Sequence, residues 1–270
     1  MDYYISINAK EFLEFGAADL VRFISNNDKN SIIKGAEIAI DCREDRQKEF
    51  SIELASAMSS NGRMIQLHAD DIYGSGKNKI IEMLRYYNSI AEKCGNKIKV
   101  TIHPAEMQSI KDSINETRSA LEYINNLVEK KRLDLEILLE NLNTYAGKPR
   151  CNIGQILEIL EGTMENGITL DLGHYVFDHG TSDIPIKNRL SKRIRNVHLH
   201  DIDDRGQDHQ PFYFENVCLE KMRGILSSIG YNGSVVAEIS LNFLKGNSFE
   251  ARLREYISQI ELISKKLDSQ

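Results

Sequence analysis

The sequence predicts an α/β chain that folds as a single (β/α)8 TIM-barrel domain over residues 1–270. Eight short runs of branched aliphatic residues alternate with eight helix-like runs, and no Pro- or Gly-rich linker divides them. Such alternation is typical of a parallel sheet wrapped by helices. The length of 270 residues is close to the ~250 residues of one such barrel. No Gly-x-Gly-x-x-Gly motif follows the first run, which argues against an open dinucleotide-binding sheet.

The first half of the chain contains four strand–helix units. Strands are predicted over residues 3–7, 35–41, 64–67 and 98–102. Apolar residues then recur at helical spacing over residues 12–24, 50–58, 80–90 and 110–127. Asn61-Gly62 and Gly95-Asn96 end two of these helices. The loop over residues 70–77 lacks the spacing of a phosphate-binding loop, so we interpret it as a rim loop.

The second half repeats the pattern with four further units. Its strands are predicted over residues 135–139, 168–170, 195–199 and 234–239. Its helices are predicted over residues 153–164, 184–194, 217–229 and 249–267. These segments complete the eight units that a closed barrel requires.

The composition limits which binding partners and which cellular compartment are expected for this chain. The 40 acidic residues outnumber the 34 basic ones, so no overall positive field attracts nucleic acid, although a local basic groove stays open. The chain contains no apolar run of membrane-spanning length, and its start lacks a signal-peptide pattern. We therefore expect a cytoplasmic protein with a small-molecule partner, and association between copies stays open. The four cysteines are scattered and indicate reduced thiols.

Metal-capable side chains follow six of the predicted strands. They are His68, His103, Glu140, Asp171, His198 and Glu238. Because the carboxyl ends of parallel strands open onto one face of a barrel, we expect these side chains to converge. Three carboxylates meeting there would repel one another without a cation. Oxygen and imidazole donors suit Mn²⁺, Mg²⁺, Co²⁺ or Zn²⁺, so the sequence predicts a divalent-metal centre.

An ordered set of motifs resembles the xylose isomerase-like TIM-barrel superfamily. The motifs are Leu139-Glu140-Asn141, Leu170-Asp171-Leu172-Gly173-His174, Val197-His198-Leu199-His200-Asp201, Asp208-His209-Gln210-Pro211 and Ala237-Glu238-Ile239. That superfamily contains sugar-phosphate isomerases and epimerases, inosose isomerases and AP endonucleases of the endonuclease IV type. The resemblance covers nearly the whole chain and is specific to the superfamily rather than to one reaction.

The resemblance implies two alternative metal sites. The sugar-epimerase branch holds one ion with residues that correspond here to Glu140, Asp171, His198 and Glu238. The endonuclease branch builds a three-zinc cluster with further histidines, which correspond to His68, His103, His174 and His209. The chain departs from that second pattern. Gln207 stands where an Asp usually precedes the last histidine by two residues, with an acid at Asp208 instead, and Phe212-Tyr213-Phe214-Glu215 replaces the usual Gly-x-Gly.

The resulting functional hypothesis is a metal-dependent isomerase or epimerase of a small sugar or related polyol ketone. In it, Glu140 and Glu238 transfer a proton through an enediolate. Three histidines are expected to contact substrate: His174, His200 and His209. Alternatively, His174 binds a second ion. The alternatives for His200 are that it supports the metal ligands or makes an ordinary loop hydrogen bond. The alternative functions are an endonuclease IV-type zinc phosphodiesterase acting on abasic DNA and a non-catalytic metal- or ligand-binding barrel.

Overall fold

The computed structural model describes residues 1–69, 72–73, 76–144, 149–161, 166–180, 192–203, 205–213 and 217–268. Its strands are β1 Asp2–Asn8, β2 Ile33–Ile40, β3 Met64–Ala69, β4 Ile98–Ile102, β5 Leu135–Glu140, β6 Gly167–Asp171, β7 Ile194–Leu199 and β8 Ser234–Ala237. Each strand pairs in parallel with the next, and β8 pairs with β1, so the sheet closes. The predicted TIM barrel is confirmed.

Helices surround this barrel. They are α1 Ala9–Phe12, α2 Ala17–Asn27, α3 Asp45–Ser60, α4 Gly76–Cys94, α5 Ile110–Lys131, α6 Ile153–Leu160, α7 Leu172–His179, α8 Val217–Ile229 and α9 Phe249–Asp268, with a short 3-10 helix at Leu241–Phe243. Their apolar faces are buried against the outside of the sheet, as Leu54, Tyr87 and Ile260 show with at most 1% exposure. Among the described residues, no helix combines the length and apolarity that crossing a membrane requires.

The space inside the barrel is polar rather than aliphatic. Glu37 of β2, Thr101 of β4, Thr169 of β6 and Asn196 of β7 all have no exposed surface. The hydroxyl oxygens of Thr101 and Thr169 lie 2.8 Å apart, and the amide of Asn196 donates to Glu37. Buried polar groups are costly unless they are hydrogen-bonded to one another. The barrel therefore holds an organised polar layer under its mouth, where branched aliphatic layers are usual.

The first predicted helix, over residues 12–24, is wrong as a single element. Two helices, α1 and α2, occupy this region instead. Gly16 separates them with a φ of 83°, a left-handed conformation that favours glycine and interrupts a helix. Phe15 in the same break stacks on Phe249 of α9, with ring centroids 4.9 Å apart. Packing of Phe15 against the last helix thus accompanies the break.

The region after β6 also differs from expectation. The helix α7 begins immediately after Asp171 and was not predicted. The carboxylate of Asp171 accepts a hydrogen bond from the backbone N–H of His174, which is an N-cap and starts the helix there. Of the helix predicted over residues 184–194, residues 184–191 lie outside the described residues, and Ile194 belongs to β7.

Other predicted segments agree in position but not in all of their limits. The helix predicted over residues 153–164 ends at Leu160 as α6, and residues 162–165 lie outside the described residues. In the predicted rim loop, residues 70, 71, 74 and 75 are likewise outside them, as are residues 214 and 215. The strand β8 ends at Ala237, which places Glu238 just beyond the sheet.

Candidate metal centre

Four side chains meet at the carboxyl ends of four consecutive strands. Glu140 ends β5, Asp171 ends β6, His198 lies in β7, and Glu238 follows β8. One ligand atom from each of these residues lies within 4.8 Å of the atoms from the other three. Side chains that are well separated along the chain are thus brought within the reach of one ion. We call Glu140, Asp171, His198 and Glu238 the central quartet.

His198 lies between the acidic side chains. Its Nδ1 is 2.9 Å from Oε2 of Glu238 and 3.1 Å from Oε1 of Glu140. Its Nε2 is 2.9 Å from Oε1 of Glu37 on the opposite edge of the ring. Burial alone would lower the pKa of His198, but the charges of Glu37, Glu140 and Glu238 raise it well above its ordinary value. The ring therefore lies in a strongly negative environment.

Three imidazoles surround Glu140. His68 Nε2 lies 3.1 Å from its carboxylate, His103 Nε2 lies 3.3 Å from it, and His198 contacts the other oxygen. Burial favours the neutral acid, but the charge of His198 and hydrogen bonds from the three rings outweigh it and hold the pKa of Glu140 well below its usual range. Glu140 is thus a carboxylate, the form that binds a cation.

Asp171 is held by its neighbours on both sides. The side chain of Asn141 donates to the carbonyl of Asp171 and accepts from its N–H, each over 2.9 Å. One carboxylate oxygen of Asp171 caps α7, and the other lies 3.1 Å from His200 Nε2. These contacts fix the carboxylate before any ligand binds, which is the kind of support that metal ligands receive in proteins.

A second group of metal-capable side chains lies beside the quartet. Asp208 Oδ1 is 3.2 Å from His209 Nδ1, and Asp208 Oδ2 is 3.8 Å from His174 Nε2. His209 Nε2 also approaches Glu238 at 3.6 Å. His174 and His209 hold the pKa of Asp208 well below its usual range. Asp208 therefore supplies an acid next to these histidines, although Gln207 departs from the family pattern.

The hydrogen bonds of His68 and His174 leave one ring nitrogen directed at the acids. Nδ1 of His68 lies 3.3 Å from the carbonyl of Ala69, and Nδ1 of His174 lies 3.1 Å from that of Asn141. A carbonyl only accepts, so each Nδ1 carries the proton and each neutral ring presents the lone pair of Nε2. A lone pair that faces carboxylates requires a proton or a metal ion.

The pKa values of His68 and His174 are raised because both rings face carboxylates. Burial opposes a charge on His68, but its hydrogen bond to Glu140 and that residue's charge raise its pKa to about 9. Burial likewise opposes a charge on His174, and Asp171 and Asp208 raise its pKa to about 9. In the absence of a cation, protons on the imidazoles balance the acids.

The donor set fits a divalent cation. Among the described residues, the buried atom His174 Nε2 has no hydrogen-bond partner, and it lies 3.8 Å from the carboxylate of Asp208. Buried polar atoms without a partner are uncommon in proteins and point to a missing ligand or ion. Carboxylate oxygens with imidazole nitrogens match the preferences of Mn²⁺, Mg²⁺, Co²⁺ and Zn²⁺. The central quartet combines donors from the ends of four strands. Four further histidines lie beside it: His68, His103, His174 and His209.

His200 is placed differently from the other histidines of the site. It has no exposed surface, and the backbone N–H of His209 donates to its Nδ1 over 3.1 Å. The carbonyl of Asp201, also close to Nδ1, already accepts from Gln210. His200 Nε2 consequently carries the proton and donates to Asp171. These contacts place His200 behind the quartet rather than at the surface that a substrate reaches.

A cavity of about 670 Å³ opens beside His68 and His103. Its volume is within the range of small-molecule sites. Two cations that the sequence analysis did not single out, Lys10 and Arg46, line its wall. They follow β1 and β2, so they belong to the same rim of the barrel as the metal-capable residues.

The sequence analysis did not single out Glu37, although this residue contacts His198 of the central quartet. It lies in the middle of β2 rather than at a strand end. An acid inside a run of aliphatic residues is itself a signal, because a charge in a buried strand requires a partner. That signal identifies a buried acid but does not identify His198 as its partner.

Comparisons with known proteins agree with this architecture. The family model described as "Xylose isomerase-like TIM barrel" matches residues 41–257. No curated protein sequence matches the chain at a significant level. A crystal structure of D-psicose 3-epimerase with D-tagatose from Clostridium cellulolyticum H10 superposes with a TM-score of 0.69 at 14% identity, over 98% of this chain and 100% of that one.

Two further solved structures are similar over nearly their whole length. A xylose isomerase domain protein from Alicyclobacillus acidocaldarius has a TM-score of 0.70 at 13% identity, over 99% of this chain and 100% of that one. The 3-keto-D-glucoside 4-epimerase from E. coli has a TM-score of 0.66 at 11% identity, over 96% of this chain and 99% of that one. At such identities the likeness shows a shared fold, and function has to be argued from the site.

Proposed function

The chain belongs to the xylose isomerase-like TIM-barrel family, and from this we propose that it is a divalent-metal-dependent isomerase or epimerase. Its substrate would be a small sugar or a related polyol ketone. The observation that carries the proposal is the central quartet, whose four donor atoms lie within 4.8 Å of one another at the barrel mouth. Two structural neighbours, the D-psicose 3-epimerase and the 3-keto-D-glucoside 4-epimerase, support the same class of reaction.

The four side chains of the quartet would hold the ion. A divalent cation bound there would polarise the substrate carbonyl and stabilise negative charge as it develops on oxygen. Asn141 and His200 keep Asp171 in place, and the three imidazoles around Glu140 keep it ionised. The protein thus contributes an arrangement of ligands that needs little reorganisation when substrate arrives.

Glu238 is the carboxylate of the quartet that is better placed to touch substrate. Its side chain is 15% exposed, compared with 1% for Glu140. Burial would favour its neutral form, but the charges of His198 and His209 hold the pKa of Glu238 well below its usual range. It is therefore present as a carboxylate, which can accept a proton from the carbon next to a carbonyl.

The proton transfer requires a second group on the other side of the substrate, and we assign this role to Glu140. When Glu238 takes the proton, the C–H electron pair forms the carbon–carbon double bond of an enediolate, and the carbonyl oxygen takes the negative charge. Return of a proton to the former carbonyl carbon, together with transfer of the hydroxyl proton to the oxygen that took the charge, produces an isomer. Return to the carbon that lost the proton, from the opposite face, produces an epimer. Both carboxylates lie within 3.1 Å of His198 Nδ1, so both would border a substrate bound at this ion site.

His174 and His209 would contact the substrate hydroxyls. His174 Nε2 is buried without a hydrogen-bond partner among the described residues. The side chain of His209 is 36% exposed and lies next to Glu238. For His200 the contacts favour support of Asp171, because it is fully buried and both of its nitrogens are engaged.

A second candidate function is a zinc-dependent phosphodiesterase of the endonuclease IV type. The observation that favours it is the presence of further donors: those of His68, His103 and Glu140 lie within 4.8 Å of one another, and His174 and His209 adjoin Asp208. The first of these groups has enough donors within reach of one another to bind a further zinc, and several zincs can activate water and neutralise phosphate. Its substrate would be abasic DNA.

Metal stoichiometry and proton exchange separate these functions. We expect one Mn²⁺ or Co²⁺ per chain and exchange of a substrate C–H for C–D when a panel of ketoses is followed by NMR in deuterated water. Three tightly bound zincs together with cleavage of abasic DNA would overturn the proposal in favour of the second candidate. Metal binding without turnover of either kind would identify a non-catalytic barrel.

A further inference from the structure

Glu37 lies inside the barrel, directly beneath the central quartet. It occupies the middle of β2 and pairs in register with Ser6 of β1 and Gln66 of β3. Its side chain has no exposed surface. No step of the proposed reaction uses it.

The two oxygens of Glu37 have different partners. Oε2 accepts a hydrogen bond from the Asn196 side chain over 2.9 Å, and the hydroxyl of Thr101 approaches it at 3.5 Å. Oε1 lies 2.9 Å from His198 Nε2, an ion-pair distance, and both atoms are buried without a hydrogen-bond partner among the described residues. Glu37 is therefore oriented from one side and directed at His198 on the other.

The two nitrogens of His198 face opposite environments. Nδ1 faces Glu140 and Glu238, the side on which a cation would bind, whereas Nε2 faces Glu37. A metal-bound imidazole is neutral and carries one N–H. If that proton is on Nε2, it faces a carboxylate oxygen 2.9 Å from the nitrogen, and Nδ1 presents its lone pair to the cation. The opposite tautomer would leave Nε2 and the carboxylate facing each other with lone pairs.

Stability alone does not explain an acid at this position. Desolvating a carboxylate costs several kcal/mol, and replacing buried charged groups by apolar ones is often neutral or stabilising. Lys99 of β4 donates to the carbonyl of Arg195 and to Ser234 rather than to Glu37. A buried acid that is aimed at a metal-binding histidine is therefore better explained by its effect on that histidine.

We propose that Glu37 is a positioning residue that holds His198 in the tautomer and ring orientation in which Nδ1 faces the cation. This inference rests on the proposed metal centre and adds a residue to it. Carboxylates that accept the second N–H of a metal-bound histidine raise its basicity, and their removal typically weakens metal binding about 10- to 100-fold.

The test compares Glu37→Gln with the wild-type protein and with Gln66→Leu. Glu37→Gln keeps the size of the side chain but removes its charge. Gln66 is a matched control because it is the register partner of Glu37, is buried, and has no hydrogen-bond partner for either side-chain atom among the described residues. The measurements are the Kd for Zn²⁺ by chelator competition, the visible absorption spectrum of the Co²⁺-loaded protein, and the Tm without metal.

We expect Glu37→Gln to raise the Kd about 10- to 100-fold and to alter the Co²⁺ spectrum, while Gln66→Leu leaves both unchanged. An unaltered spectrum and a Kd within about twofold of wild type in folded Glu37→Gln would overturn the inference and leave the proposed function intact. A wild-type protein that binds neither metal would overturn both.

Should Glu37→Gln fail to fold, Glu37→Asp supplies the same test, since it keeps the charge but withdraws the carboxylate from His198. We expect Glu37→Asp to raise the Kd for Zn²⁺ severalfold and to alter the Co²⁺ spectrum relative to the wild-type protein. A Kd and spectrum identical to those of the wild-type protein would overturn the positioning role.

Discussion

The imidazole of His200 covers the backbone at Gly173 so closely that a Cβ placed on Gly173 would lie 2.5 Å from its Cε1. His200 cannot move aside easily, because it is fully buried and engaged through both nitrogens with Asp171 and the backbone of His209. The absence of a side chain at residue 173 of α7 is thus required by a histidine that follows β7.

Gly173→Ala should displace His200 and loosen Asp171. We expect a loss of about 1–3 kcal/mol in the free energy of unfolding, as for other overpacked buried sites, together with weaker metal binding. Denaturant unfolding and metal titration measure the two effects. Gly224→Ala is the control, since a Cβ at Gly224 in α8 meets nothing within 4 Å, and alanine there should be neutral or stabilising. Equal stability of the two variants would contradict the close contact.

Glu238→Gln should abolish exchange of the substrate proton while the barrel remains folded. The amide keeps the shape of the side chain but cannot accept the proton from carbon. NMR in deuterated water on an active ketose measures the exchange, and circular dichroism checks the fold. Glu129→Gln, an exposed acid of α5, is the matched control and should behave as wild type. Unchanged deuterium incorporation in Glu238→Gln would refute its role as the base.

The metal-free protein should lose stability as the pH rises from about 6.5 to above 9. His68 and His174 have a pKa raised from the ordinary 6.5 to about 9 in the folded chain. Their protonated rings therefore stabilise the fold fully below pH 6.5, and this stabilisation disappears as the pH passes through 9. The Tm of metal-free protein, measured from pH 6 to 10, should fall over this interval.

Metal-loaded protein should show a smaller decline in Tm over the same interval, because the cation then balances the acids in place of the protons. Removal of the metal with a chelator should restore the steeper dependence. A Tm of the metal-free protein that stays level or rises between pH 6.5 and 9 would contradict the assignment of these two histidines as the groups that titrate.

His103→Ala distinguishes a single ion from several. The His103 side chain is 46% exposed and contacts Glu140 at the edge of the site. With one ion held by the quartet, the variant should keep one metal per chain and lose only part of its activity. Elemental analysis after dialysis measures this. Loss of one full equivalent of metal on changing His103 would instead indicate that His68, His103 and Glu140 bind an ion of their own.

The barrel could be predicted because the sequence patterns that indicate it are local. Apolar runs of strand length alternate with amphipathic runs along the chain, and this periodicity does not depend on distant contacts. The resemblance to the xylose isomerase-like family, carried by motifs such as Leu170-Asp171-Leu172-Gly173-His174, is confirmed by the family match over residues 41–257. The periodicity of apolar residues did not reveal two local features: the break at Gly16 between α1 and α2, and the start of α7 at Asp171.

The sequence by itself also determined which residues stand at the rim, since a residue that follows a parallel strand can lie only at one face of a barrel. Tertiary structure alone decided which atoms meet there. Register and closure of the sheet turn Glu37 toward His198, place His200 behind Asp171, and bring Asp208 beside His174. These relations join strands and loops far apart in the chain. No local pattern of residues encodes them, because each depends on how the whole sheet closes.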